Sequence, residues 1–127
     1  MDVSSLYTNI PHIDGIAAVE ASLTDVQHPM KDSILQLISF TLTHNVFEFN
    51  RDLFIQTQGT AMGTKFAPQY ANLFMHHFET EFLNTQQLKP TFYVRYIDDI
   101  FMIWMHGEAA LRRFHEQMNY PLRAFHF

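Results

Sequence analysis

The stretch Phe92-Tyr-Val-Arg-Tyr-Ile-Asp-Asp-Ile-Phe-Met-Ile-Trp104 decides the fold. Its arms, Phe92–Tyr96 and Ile100–Trp104, are rich in aromatic and β-branched residues and read as strands. Ile97-Asp98-Asp99 between them reads as the tight turn of an antiparallel hairpin. Asp is a common turn residue, so a solvated tip is one reading of the pair. The other is chemical: two adjacent carboxylates near an apolar interior repel, and one takes up a proton unless a cation compensates. Mg²⁺ prefers oxygen ligands and binds through one or two carboxylates plus substrate phosphates.

Working toward the N-terminus, Pro68 opens a helix in which Tyr70, Phe74, Phe78 and Phe82 recur at i+4. Before it lies the loop Gln58–Lys65, where Gly59 and Gly63 allow close backbone approach. Its spacing fits neither a P-loop nor a dinucleotide fingerprint, and an ordinary strand-to-helix loop is the plain reading. Phe47–Phe49 and Leu53–Thr57 read as short strands around Asn50-Arg51-Asp52. Pro29 opens a helix ending near Asn45, with Met30, Ile34, Ile38 and Leu42 as its core stripe. Asn9, before Ile10-Pro11, is a helix entry; Ile13, Ile16, Ala17 and Leu23 extend that helix to about Thr24. Residues 1–7 read as the end of a short strand. On the C-terminal side, Gly107 precedes a helix carrying Leu111, Phe114 and Met118, and Leu122–Phe127 reads as a final strand. Helices and antiparallel strands mix without a βαβ repeat, so the expected class is α+β.

Composition bounds the function. With 127 residues there is room for one small domain. Cysteine is absent, which excludes disulfides and thiolate metal sites. Eight histidines include no His-x-x-x-His pair, and adjacent His76 and His77 point to different sides of a helix. The net charge of −5 is the wrong sign for a nucleic-acid binder on charge alone. No apolar run approaches the roughly 20 residues of a membrane span, and Met-Asp-Val-Ser-Ser is no signal peptide. A soluble, intracellular protein is expected. Thirteen phenylalanines suggest a dense core or apolar surface covered by something else.

Asp2 gains meaning in combination. Two-metal phosphoryl transfer needs carboxylates converging from separate strands around ions about 4 Å apart. A strand-end Asp and a hairpin-tip pair supply such a set if their strands are neighbours. Asp2-Val-Ser-Ser-Leu-Tyr7 resembles motif A of reverse transcriptases. Gln58-Gly-Thr-Ala-Met-Gly-Thr64, running into Ala67-Pro68, resembles motif B, and Tyr96-Ile-Asp-Asp99 resembles motif C. Tyr-x-Asp-Asp alone arises by chance in about one chain of this length per hundred; three motifs in order are far more specific. Ser5-Leu-Tyr-Thr-Asn-Ile-Pro11, Tyr70-Ala-Asn-Leu-Phe-Met75, Arg95-Tyr-Ile-Asp-Asp-Ile-Phe101 and Ile103-Trp-Met-His-Gly107 resemble the wording of Penelope-like retroelements.

The resemblance implies a polymerase palm. It makes Asp2, Asp98 and Asp99 the catalytic metal ligands for two Mg²⁺, with Mn²⁺ as a substitute. It puts Tyr7 under the sugar of the incoming nucleotide, where its ring would collide with a 2′-OH. It sets Gln58 and Gly59 against the nascent base pair and template strand, and Tyr96 near the primer end. Lys65 is a candidate for a template phosphate on charge alone, and Arg95 for a structural ion pair. The implied partners are an RNA template, a DNA primer and deoxynucleoside triphosphates, with no membrane; the implied location is nuclear. Residues 1–127 then correspond to a partial domain holding motifs A to C. Fingers, primer grip, thumb and any GIY-YIG endonuclease fall outside it. Such a palm is expected to be inactive alone, its apolar surface covered by the missing parts or by another protein. The alternatives are an inert or repurposed retroelement remnant acting as an interaction module, and a different Mg²⁺-dependent phosphoryl-transfer enzyme.

Overall fold

The computed structural model describes residues 3–24 and 29–123, the side chains of 121–123 excepted. The element order is α1 (Leu6–Asn9), α2 (His12–Ser22), α3 (Lys31–Thr43), β1 (Val46–Phe49), β2 (Asp52–Ile55), α4 (Ala67–Thr85), β3 (Phe92–Tyr96), β4 (Asp99–Ile103) and α5 (Glu108–Arg123). Among the described residues there are two sheets, both two-stranded antiparallel hairpins, β1–β2 and β3–β4. The class is α+β, as the sequence implies. No helix among the described residues is long and apolar enough to cross a membrane.

Two compact units divide the chain. One is Ser5–His77; the other joins residues 3–4 to those from Phe78 onward. In the first, Pro11 caps α2 in extended conformation and Asp14 lies in the first turn, where the helix dipole favours an acid. Ile10, Ala18, Val19, Leu42, Tyr70 and Met75 are among its buried residues. The hairpin β1–β2 turns through Asn50 and Arg51, both at positive φ (52° and 70°), which matches the twist of a two-residue connection. Asp52 therefore belongs to β2 and pairs with Phe49, rather than to the turn. Every residue of both strands is exposed.

The second unit has a core of Phe82, Ile100, Phe114 and Met118, with Val3, Phe78, Tyr93 and Trp104 packed against it. Phe114 meets Phe82 edge-on with ring centroids 5.2 Å apart, and meets Trp104 in a tilted arrangement at 4.9 Å. Edge-to-face packing of this kind adds to the burial of each ring.

Two expectations change. Residues 3–5 form no strand: Ser5 takes a left-handed conformation (φ 53°) and leads into α1, while residues 1–2 lie outside the described residues. Nor does Leu122 begin a strand, because α5 continues through Arg123 in the register of Leu111, Phe114 and Met118. Residues 124–127 lie outside the described residues.

Candidate active site

In β3–β4 the partners are Phe92 with Ile103, Val94 with Phe101, and Tyr96 with Asp99. Asp99 is thus the first residue of β4, and the turn consists of Ile97 and Asp98 alone. Ile97 has φ 55° and Asp98 does not share the positive sign, which is the φ pattern of a type II′ turn. A β-branched residue rarely adopts this conformation, so the turn is strained where the two carboxylates sit. Asp98 is half-buried and Asp99 exposed. Tyr96, at 78% exposure, projects into solvent, whereas Ile100 anchors the strand in the core at 6%.

Two bonds reach this tip directly, and two more brace the side chain that makes one of them. The Val3 N–H donates to the Asp98 carbonyl at 2.9 Å, which ties the residue following Asp2 to the turn. Arg95 Nη1 donates to the Ile97 carbonyl at 2.8 Å. Arg95 Nε donates to Glu79 Oε1 at 2.9 Å, an ion pair whose side chains are 10% and 9% exposed. Tyr93 Oη donates to the same Glu79 oxygen at 2.6 Å. Burial pushes the Tyr93 hydroxyl well above its usual range; the hydrogen bond and charge of Glu79 add to this and Arg95 partly opposes it. The ion pair expected of Arg95 is present.

The Ser5–His77 unit assembles a second cluster. The loop at Gln58 is stitched to the segment around α1: Thr60 N–H to Tyr7 O at 2.7 Å, and Gly59 N–H to Ile10 O at 2.9 Å. Gln58 Nε2 donates to Asn9 O, and His12 Nε2 to Gly59 O, each at 2.8 Å. Gly59 has φ 71°, open to glycine and rarely adopted by other residues. Tyr7 and Gln58 are half-buried beside it, and Lys65 is exposed. Tyr7, Gln58 and Gly59 are therefore brought together in one unit. Tyr96, Asp98 and Asp99 are brought together in the other, and Asp2 lies outside the described residues.

Among the described residues no group of three or more His, Cys, Asp or Glu could hold a metal ion. Asp98 and Asp99 nonetheless suit Mg²⁺ by donor chemistry. They are hard oxygen ligands, accessible to solvent, with no ion-pair partner among the described residues. The motifs left Glu79 and His12 unnoticed. Glu79 had a faint signal: it lies four residues after Met75 and three before Phe82, on the buried stripe of α4. His12 had none, since its partner is a main-chain oxygen 47 residues away.

The model of the family described as reverse transcriptase (RNA-dependent DNA polymerase) matches residues 1–126. No curated protein and no solved structure matches the chain. With almost every residue matched, and with the Tyr-Ile-Asp-Asp turn formed as a hairpin tip, the chain belongs to the reverse transcriptase family.

Proposed function

We propose that this chain supplies the catalytic carboxylates of an RNA-directed DNA polymerase. The reaction is template-directed transfer of a nucleotide to a primer 3′-OH with release of pyrophosphate. The observation that carries the reading is the hairpin tip, where Asp98 and Asp99 stand accessible and unpaired among the described residues, in a family defined by this chemistry. Asp98 and Asp99, with Asp2, would hold divalent metal. Such ions lower the pKa of the attacking hydroxyl and stabilise charge on the leaving oxygen. Tyr7, Gln58 and Gly59 would contact the incoming nucleotide and the template, Tyr96 the primer end and Lys65 a template phosphate. Retroelement-like wording points to a Penelope-like origin and a nuclear setting.

Primer extension on an RNA template with Mg²⁺ or Mn²⁺ tests the activity, and Mn²⁺ binding followed by electron paramagnetic resonance tests the site. The isolated chain is expected to bind Mn²⁺ and to extend primers poorly. Binding or extension that survives Asp98→Asn would overturn the metal assignment.

The exposed apolar hairpin β1–β2 favours a second reading, a family member reused as an interaction module. A chain that binds no Mn²⁺ yet co-purifies stoichiometrically with one identified protein, and loses it on Leu53→Lys, would favour that reading.

A further inference from the structure

We infer that Glu79 and Arg95 are positioning residues for the Asp98–Asp99 turn. The inference rests on the reading of those aspartates as metal ligands and adds what keeps them in place. The main chain of Asp98 is fixed on both sides. The carbonyl before it, that of Ile97, accepts from Arg95 Nη1 at 2.8 Å; its own carbonyl accepts from Val3 N–H at 2.9 Å. With both flanking peptide groups fixed, the Cα–Cβ direction of Asp98 is fixed as well.

The turn needs such support. Ile97 at φ 55° is a β-branched residue in the left-handed region, a conformation that persists only where its surroundings over-determine it. Arg95 reaches it, and Glu79 aims Arg95 through the 2.9 Å bond to Nε. Glu79 is 7% exposed and sits within the 19-residue helix α4, so the turn is referred to a rigid element. Tyr93, two residues before Arg95 on β3, donates to the same carboxylate oxygen.

A buried ion pair is weak evidence for stability in itself, because well-packed apolar residues of the same volume often serve as well. An apolar pair would leave the Ile97 carbonyl without its donor. The guanidinium presents Nε–H and Nη–H in a rigid fork, so one side chain bonds the helix carboxylate and the turn carbonyl together. An ammonium has no such fork.

The test uses the 127-residue chain and the variants Glu79→Gln, Arg95→Lys, Asp98→Asn and, as a charge control, Glu81→Gln on the same helix. Three quantities are read: Mn²⁺ affinity, hydrogen exchange of the Asp98 and Asp99 amides in metal-free protein, and the urea midpoint. Glu79→Gln and Arg95→Lys are expected to unfold cooperatively, weaken Mn²⁺ about 10- to 100-fold, and speed exchange at the turn. Glu81→Gln is expected to leave all three near wild type. If Arg95→Lys loses its fold, Glu79→Gln decides alone. Wild-type affinity and exchange in both clamp variants, with binding abolished by Asp98→Asn, overturns the positioning role and leaves the metal reading standing. Equal weakening by Glu81→Gln overturns it too, by reducing the effect to net charge. A wild-type chain that binds no Mn²⁺ overturns the metal reading and the positioning role with it.

Discussion

Gly59 lies so close to Thr8 that a Cβ placed on it would come within 2.5 Å of the Thr8 carbonyl carbon and oxygen. Its φ of 71° adds a conformational penalty to the clash. Gly59→Ala is therefore expected to cost about 2 kcal/mol or more, since alanine suits neither the backbone nor the space. Gly63→Ala meets nothing within 4 Å and has no positive φ, so a change within about 0.5 kcal/mol is expected. Urea unfolding of the two variants side by side checks the contrast; similar midpoints would contradict the packing of this loop.

Tyr93 and Tyr70 should respond in opposite directions to loss of the hydroxyl. The Tyr93 hydroxyl satisfies the buried Glu79 carboxylate. Tyr93→Phe is expected to destabilise by about 1–3 kcal/mol, the range for leaving a buried charged acceptor short of a donor. The Tyr70 hydroxyl is buried with no hydrogen-bond partner among the described residues. Tyr70→Phe removes an unsatisfied polar atom and is expected to be neutral or stabilising by about 1 kcal/mol. Thermal or urea denaturation of each variant measures the sign.

Both hydroxyls also make stability fall at alkaline pH. Burial raises Tyr70, helped by the charge of Asp14; burial raises Tyr93, helped by Glu79. A group whose pKa is higher in the folded state contributes stability fully below its unfolded value, near 10, and loses it as pH climbs toward the folded value. The urea midpoint is expected to drop above about pH 10, and the Tyr70→Phe, Tyr93→Phe double variant to drop less steeply. An unchanged slope in that variant would mean that these tyrosines ionise as easily folded as unfolded.

The hairpin β1–β2 exposes Phe49 at 70% and Leu53 at 73%. Self-association that rises with concentration is expected of so much open apolar surface on a two-stranded ribbon. Phe49→Lys with Leu53→Lys should lower it, with stability within about 0.5 kcal/mol of wild type because neither side chain is buried. Sedimentation velocity across a concentration series distinguishes the two proteins.

The β3–β4 hairpin was legible because aromatic and β-branched residues flank a short polar turn, and only its register escaped. Asp99 looks like a turn residue by type, yet a two-residue connection suits the strand twist better and draws it into pairing with Tyr96. The apolar periodicity of α3 and α4 placed those helices within a few residues. The exposure of β1–β2 was hidden, since Phe, Leu and Ile in a strand pattern are ordinarily read as buried. The supports of the candidate site were hidden for another reason. Val3, Thr60 and Gly59 act through main-chain atoms, and such bonds depend on where the chain runs rather than on which side chain it carries. Glu79 was masked by the aromatic residues around it on α4.

That stitching around Gln58 has a consequence for how the segment tolerates change. The bonds from Gly59, Thr60 and Gln58 end on the main-chain oxygens of Ile10, Tyr7 and Asn9. Every residue type carries such an oxygen, so for these three bonds side-chain identity is free to vary. The count of residues between Tyr7 and His12 is not. One residue inserted or removed there shifts each donor to the wrong carbonyl at once, and His12 loses its own acceptor with them. In this corner of the chain what selection can see is spacing: a ruler of main-chain oxygens, with Gly59 as its fixed mark.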